Sequence, residues 1–413
     1  MEKTLNPNLN FSLMTLVNSV REVSSALQGY KSPPIVNFLQ NLEIDTFLQN
    51  KETALLEAAS LPELNRIVGT SEADFLSRSN ESNQQIFGLD GSDILFSLSG
   101  NDIHFSGDGD DILNSGYGND ILIAGDGKDE TRSNQGDDII FGGQGLDFLP
   151  GGSGSDFLSG GPDDDFIFGN GDFGTNDANG TDILIGDNGD DRLVGEEGSE
   201  IIIGGNGDDI TFGAIDNDLI LGGSGDDRLS GGSENDLVYG EKGNDILTGV
   251  TGDDLVDGGI GNDMVFGFSG NDTLLGDQGH DRLIGVDPIF LEFGFGKGDI
   301  DFLTGGGDRD TFVLGDADNV YYNDSNSTST GIEDYALITD FNFSGIDKIQ
   351  LSGSPTDYFL DASPSGLASG TAIFLGRIDP LAGEPLPELI GIVEEATVQN
   401  LDLTNPNQFV FAA

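Results

Sequence analysis

The chain has 413 residues, with 74 acidic against 16 basic side chains and a formal net charge of −58. That imbalance argues against nucleic acid or an anionic membrane as a direct partner, and for multivalent cations. Cysteine is absent, so no disulfide framework exists, and no segment approaches the roughly 18 consecutive apolar residues that a membrane helix needs.

Residues 1 to about 66 read as short helices. Met1–Tyr30 does not have the pattern of a Sec signal, because Glu2, Lys3, Ser12, Thr15, Asn18 and Ser19 interrupt its apolar residues. Leu13, Leu16, Val17, Val20, Val23 and Leu27 fall on one helical face that Gly29 would end. Ser32-Pro33-Pro34 signals a second start, leading into Ile35, Val36, Phe38, Leu39 and Leu42. A third helix is expected near Asp45–Ala59, followed by a capping box of Ser60 and Glu63. The segment is too small for most catalytic domains, so we read residues 1–66 as a helical cap or a docking segment.

Residues 67–87 lead imperfectly into a repeat. GTSEADFLS forms one unit on Asp74, and RSNESNQQIF is a decayed unit without its Asp. From Gly88 to Val313 a nine-residue pattern, Gly-x-x-Gly-x-Asp-x-U-x with U a large aliphatic, returns with phase breaks only around Asn170–Asn176 and Val286–Phe295. Clean copies are SGYGNDILI from Ser115, GDNGDDRLV from Gly186 and GGSGDDRLS from Gly222. The Asp column is Asp93, Asp102, Asp111, Asp120, Asp129, Asp138, Asp147, Asp156, Asp165, Asp182 and Asp191, then Glu200 as the exception. It resumes with Asp209, Asp218, Asp227, Asp236, Asp245, Asp254, Asp263, Asp272, Asp281, Asp301 and Asp310. So long a period implies a solenoid, because each unit buries its apolar residue only against its neighbours. A disordered Gly/Asp linker would not place Leu, Ile or Val two residues after nearly every Asp.

After Val313 the period stops. TFVLG, YALITDF, DKIQL, DYFL, TAIFL, LIGIV and FVF are short strand-type runs between turn residues, so residues 314–413 form a β-rich C-terminal cap.

The repeat resembles the RTX family of glycine-rich calcium-binding nonapeptides over residues 67–313. ITDFNFSGIDKIQL resembles the segment that closes such rolls in serralysin-like secreted proteins. The resemblance implies a mostly β chain built as a parallel β-roll solenoid, with six-residue turns that bind Ca²⁺ and three-residue strands. It also implies an uncleaved type I secretion signal near the C-terminus, and therefore type I secretion machinery as a partner and an extracellular or cell-surface location. The residue types fit. Glycine allows the left-handed backbone of a tight turn, and Asp carboxylates with turn carbonyls supply the oxygen ligands that Ca²⁺ prefers. Two units make one coil, so a bridging ion would join Asp residues 18 apart, such as Asp93 with Asp111 or Asp102 with Asp120. Without metal, carboxylates stacked about 5 Å apart repel, so metal binding is expected to be folding free energy. Weak sites are expected at Glu200, one methylene too long, and where Asp163, Asp216, Glu234 and Asp299 replace a turn glycine.

The residues flanking U should point outward. One face collects Ile103, Phe105, Ile121, Ile123, Ile139, Phe141, Ile183, Ile185, Ile201, Ile203, Leu219, Leu221, Leu237 and Tyr239. Left open, it would expose on the order of 500 Å² of apolar surface, enough for self-association; the helices of residues 1–66 are the other candidate cover. The partner face carries Glu130, Arg132, Arg192, Arg228 and Arg282. The two phase breaks fall on one edge, as protruding loops. A Thr/Asn ladder like that of ice-binding rolls is not expected, because the third and fifth turn positions vary (Asp108, Tyr117; Lys128, Leu146).

No enzyme is expected. The chain has two histidines, His104 at an inward U position and His280 in a turn, and lacks both a His-Glu-x-x-His site and a Gly-x-Ser-x-Gly elbow. The function expected is that of a secreted, calcium-folded structural protein of a matrix, sheath or surface layer. The alternative is a calcium-dependent adhesion or docking module for another secreted protein or a glycan.

Overall fold

The computed structural model describes residues 8–60, 66–78, 83–170, 180–286, 299–317, 319–322, 334–343, 347–376 and 387–412. Most of both expected loops, and Glu63 of the expected capping box, lie outside these residues. The chain divides into two compact units, Met1–Gly205 and Asn206–Ala413.

The N-terminal unit opens with three helices, α1 (Asn8–Gly29), α2 (Pro33–Asn41) and α3 (Ile44–Ser60). Proline in the first turn of α2 fits that helix's start, although Ser32 makes no side-chain cap bond. Val17, Val20 and Leu27 of α1, Ile35 and Leu39 of α2, and Ile44, Leu48 and Leu55 of α3 are buried, as apolar spacing near 3.6 residues dictates.

The rest of this unit is a parallel roll. Strands starting at Gln85, Ile103, Ile121, Ile139, Phe157 and Ile183 form one face; those starting at Phe75, Ile94, Ile112, Glu130, Phe148, Phe166 and Arg192 form the other. Pairing is parallel and in register at 18 residues, Ile103 with Ile121 and Ile94 with Ile112. Across the first phase break the offset becomes 26, with Phe157 opposite Ile183. The U residues Leu95, Leu113, Leu122, Ile140, Leu149 and Leu158 are fully buried between the two faces.

The C-terminal unit repeats the design. Leu219 pairs with Leu237 and Arg228 with Ile246, again 18 apart, and across the second phase break Thr273 faces Phe302 at an offset of 29. Past Val313 both stacks continue for a few parallel strands. Ile300–Thr304 pairs with Tyr335–Ile338, Thr311–Val313 with Lys348–Ser352, and the latter with Phe409–Ala412. Glu388–Glu394 then turns the sheet antiparallel through Gly370–Leu375 and Tyr358–Ala362. The protein is thus a mostly β solenoid with helices at its start and a β-rich cap at its end.

Candidate metal centre

Each turn buries its Asp. In the N-terminal unit the two carboxylate oxygens have different fates. Oδ1 accepts the backbone N–H of the column residue one coil earlier: Asp93 donates to Asp111 at 2.6 Å, Asp111 to Asp129 at 2.7 Å, and Asp102 to Asp120 at 2.7 Å. Gln84 occupies the Asp position of the decayed unit and donates to Asp102 at 2.7 Å. In the C-terminal unit Asp227 donates to Asp245 at 2.8 Å and Asp236 to Asp254 at 2.9 Å. Residues 18 apart are therefore tied by a backbone-to-carboxylate bond, not by facing carboxylates. A stacked parallel ladder leaves that N–H as the nearest donor.

Oδ2 is the open atom. In Asp93, Asp129, Asp147, Asp156, Asp165 and Asp182 it is buried and meets no donor, and the same holds for Asp227, Asp236, Asp245, Asp254, Asp263, Asp272 and Asp281; beside Asp102, Asp111, Asp120 and Asp138 stand the hydroxyls of Ser97, Ser106, Ser115 and Ser133. Oδ2 faces a carbonyl of the next coil. A Cβ placed on Gly169 would stand 2.6 Å from both Asp182 Oδ2 and the Gly195 carbonyl oxygen. One on Gly222 would stand 2.6 Å from Asp227 Oδ2 and 2.9 Å from the Gly240 carbonyl oxygen. Two acceptors converge at Gly169 and Gly222 with no hydrogen between them, in a space that glycine leaves open. Such a pair requires a proton or a cation. Among the described residues no three His, Asp or Glu side chains could hold a metal ion together, so turn carbonyls must complete a calcium shell.

The electrostatics agree. Burial, reinforced by the charges of Asp138 and Asp102, pushes Asp120 up to about 8. Burial with Asp218 and Asp254 raises Asp236 to about 9, and burial with Asp227 and Asp263 raises Asp245 to about 8. These carboxylates are poorly stabilised as bare anions, and a divalent cation would reverse that.

Other turn positions carry strain and order. Asp163, Asp216 and Glu234, at the position of a missing glycine, are left-handed with φ of +82°, +75° and +73°. The position two residues earlier also forces left-handed residues, Val250 at φ +100° and Phe268 at +82°, a strain not anticipated from the sequence. The fifth position corrects another expectation, because its side chains do stack. Asp226 Oδ1 accepts the N–H of Asn244 at 2.8 Å, Asn244 Oδ1 that of Asn262 at 3.1 Å, and Asn262 Oδ1 that of His280 at 2.9 Å. Short Asx side chains reach the next coil's backbone, so composition at that position varies while the ladder persists.

The apolar face is largely covered. Ile103, Ile121, Ile139, Phe141, Ile183, Ile185, Ile201, Leu219 and Leu221 are buried, and Phe105, Ile123, Ile203, Leu237 and Tyr239 are half-buried. In the N-terminal unit Phe47, Lys51 and Ala54 of α3 line one cavity together with Ile103, Ile121 and Ile139. Lys51, only 5% exposed, drives its ammonium into the turn edge and donates to the Asp138 carbonyl at 2.9 Å and the Ser155 carbonyl at 2.6 Å. The partner face carries exposed apolar side chains: Ile94, Ile112 and Phe148 in one unit, Phe212, Ile246 and Met264 in the other, each 36–47% exposed. His104 is buried, with Nε2 2.9 Å from Ser97 Oγ, and burial lowers its pKa to about 3. It is a core residue.

A parallel roll whose turns present buried, donorless carboxylates defines a metal-binding solenoid. Seven segments, residues 80–103, 105–140, 114–149, 141–175, 178–210, 212–247 and 248–283, each match the family model of the RTX calcium-binding nonapeptide repeat (4 copies). Residues 80–283 thus carry RTX repeats, and calcium is the cation that these repeats bind. No curated protein matches it. Among solved structures it is similar to a hyperactive, Ca²⁺-dependent, β-helical antifreeze protein from an Antarctic bacterium, at 17% identity over 71% of this chain and 86% of that one, with a TM-score of 0.24. No helix among the described residues is long and apolar enough to cross a membrane.

Proposed function

We propose that the protein is exported by a type I route, folds on meeting calcium outside the cell, and serves there as a non-enzymatic structural component of a matrix, sheath or surface layer. The supporting observation is the rows of buried carboxylates whose Oδ2 atoms meet no donor. With a net charge of −58, a chain so built resists compaction where calcium is scarce and gains its fold where calcium is abundant. Contact between copies would run through the partner face, where the exposed Ile, Phe and Met side chains lie, since the first face is covered.

Size-exclusion chromatography with light scattering tests this, in excess chelator and then in millimolar calcium. An expanded monomer that becomes compact multimers supports both folding and assembly. A compact monomer in calcium favours a docking module acting on another protein or a glycan. A chain already compact in chelator at neutral pH overturns the calcium-folding reading.

A further inference from the structure

The outermost turns differ from those inside. In the C-terminal unit Asp301 accepts the Asp272 N–H on Oδ1 at 2.9 Å, as its predecessors do. Its Oδ2, however, accepts the hydroxyl of Tyr322 at 2.5 Å. Tyr322 is fully buried and left-handed, with φ +54°. A Cβ placed on Gly285 would collide with both the Tyr322 hydroxyl and Asp301 Oδ2. The phenol therefore stands where, in other turns, the next coil's carbonyl meets the carboxylate. The opposite edge ends alike: Asp347 takes the Asp310 N–H on Oδ1 at 3.2 Å and the Asn342 N–H on Oδ2 at 2.7 Å. At the start of the N-terminal unit, Asp74 Oδ2 accepts the Thr70 N–H at 2.6 Å and the Thr70 hydroxyl at 2.8 Å. The other edge starts on Gln84, a neutral amide.

We propose that the outermost turns are closed by the chain's own donors, and that calcium fills only the turns between them. At Asp301 the hydroxyl of Tyr322 takes the place of the ion. This rests on the calcium reading and specifies which carboxylates serve it. A carboxylate oxygen that already holds a neutral donor gains less from a cation, and the inserted phenol displaces the carbonyl that would complete the shell. The device gives each row an end that needs no metal, where the nonapeptide turns stop although the strand stacks continue. Asp301, which the repeat alone assigns as a calcium ligand, is thereby reassigned.

Native mass spectrometry of the full chain in calcium tests this by counting bound ions. Asp254→Asn, in an interior turn of the same edge, should bind fewer ions than the parent. Asp301→Asn should bind the same number as the parent, and Tyr322→Gly, which suits the left-handed backbone and empties the space of both ring and hydroxyl, should bind one more. A loss with Asp301→Asn equal to that with Asp254→Asn would overturn the proposal, as would no gain with Tyr322→Gly. A parent that binds no calcium, or an Asp254→Asn chain that loses none, would instead sink the calcium reading itself.

Discussion

The turns and the strand faces share one period, yet they obey different constraints. In the turns most interior coils repeat one solution: Asp Oδ1 on a backbone N–H, Oδ2 open toward a carbonyl, and a small residue, usually glycine, where a larger one would intrude. The faces repeat a backbone register but not an environment. Ile103 and Ile121 are buried, whereas Ile94 and Ile112, one half-coil away, are 39% and 40% exposed. The turn is governed by what lies one coil away; the face is governed by what else in the chain covers it. Turns should therefore respond to cations and protons, and faces to packing.

The largest effect expected from this contrast is chelation. Removing calcium at pH 7.5 should abolish the compact roll and most of its strand signal, read by far-ultraviolet circular dichroism and by hydrodynamic radius. Retention of the signal would place the stability in the faces and break the contrast. Next comes a pair of substitutions in one region of the C-terminal unit. Leu247→Ala removes a fully buried U side chain and should cost about 2–5 kcal/mol in calcium-saturated denaturant unfolding, with the number of bound ions unchanged. Asp245→Asn, two residues earlier, should lower the ion count and raise the calcium needed for folding.

A smaller effect is the pH dependence of the metal-free chain. Burial holds Asp129 and Asp147 near 7, and Asp120 near 8, against about 4 in an unfolded chain. Between those values the folded form binds more protons than the unfolded one, so folding stability falls as pH rises. The contribution is full below about pH 4 and is lost as pH climbs through 7 to 8. In chelator, circular dichroism should therefore show more structure at pH 5 than at pH 8, with protons standing in partly for calcium. In calcium the same competition should shift the folding midpoint to higher calcium as pH falls. More structure at pH 8 in chelator would contradict the assigned burial.

What the sequence discloses follows the same division. The Asp column, the inward U residues and the parallel roll are visible because each is set within one or two repeats, where spacing is the information. Glycine replacements at Asp163, Asp216 and Glu234 are visible for the same reason. The cover over Ile103, Ile121 and Ile139 is visible only as one of two candidates, because α3 lies far from them in sequence and its amphipathic pattern does not name its partner. Tyr322 is not visible: a lone aromatic past the last repeat has no period to mark it. The ladder at the fifth turn position escaped because Asp, Asn and Ser differ as letters yet offer the same short acceptor.

The smallest expected effect isolates the contact where turn and face meet. Lys51 donates to the carbonyls of Asp138 and Ser155, while Asp138 O also accepts the Phe157 N–H at 3.0 Å. Burial lowers the lysine's pKa, and Asp156, Asp137, Asp138 and Asp182 oppose that shift. Its ammonium thus belongs electrostatically to the acidic edge and mechanically to α3, where it also lies 5.1 Å from the Phe47 ring centroid. Lys51→Met keeps the stem and removes the charge. Losing charge-assisted bonds of this kind should cost about 2 kcal/mol, and because the strand ladder remains, the loss should appear in the helices. Hydrogen exchange in α3 should therefore accelerate roughly 30-fold, at about 1.4 kcal/mol per factor of ten, while the calcium midpoint of the roll stays within twofold of the parent. A shift of the midpoint without faster exchange in α3 would mean that Lys51 serves the turns and that the helices are held by the apolar face alone.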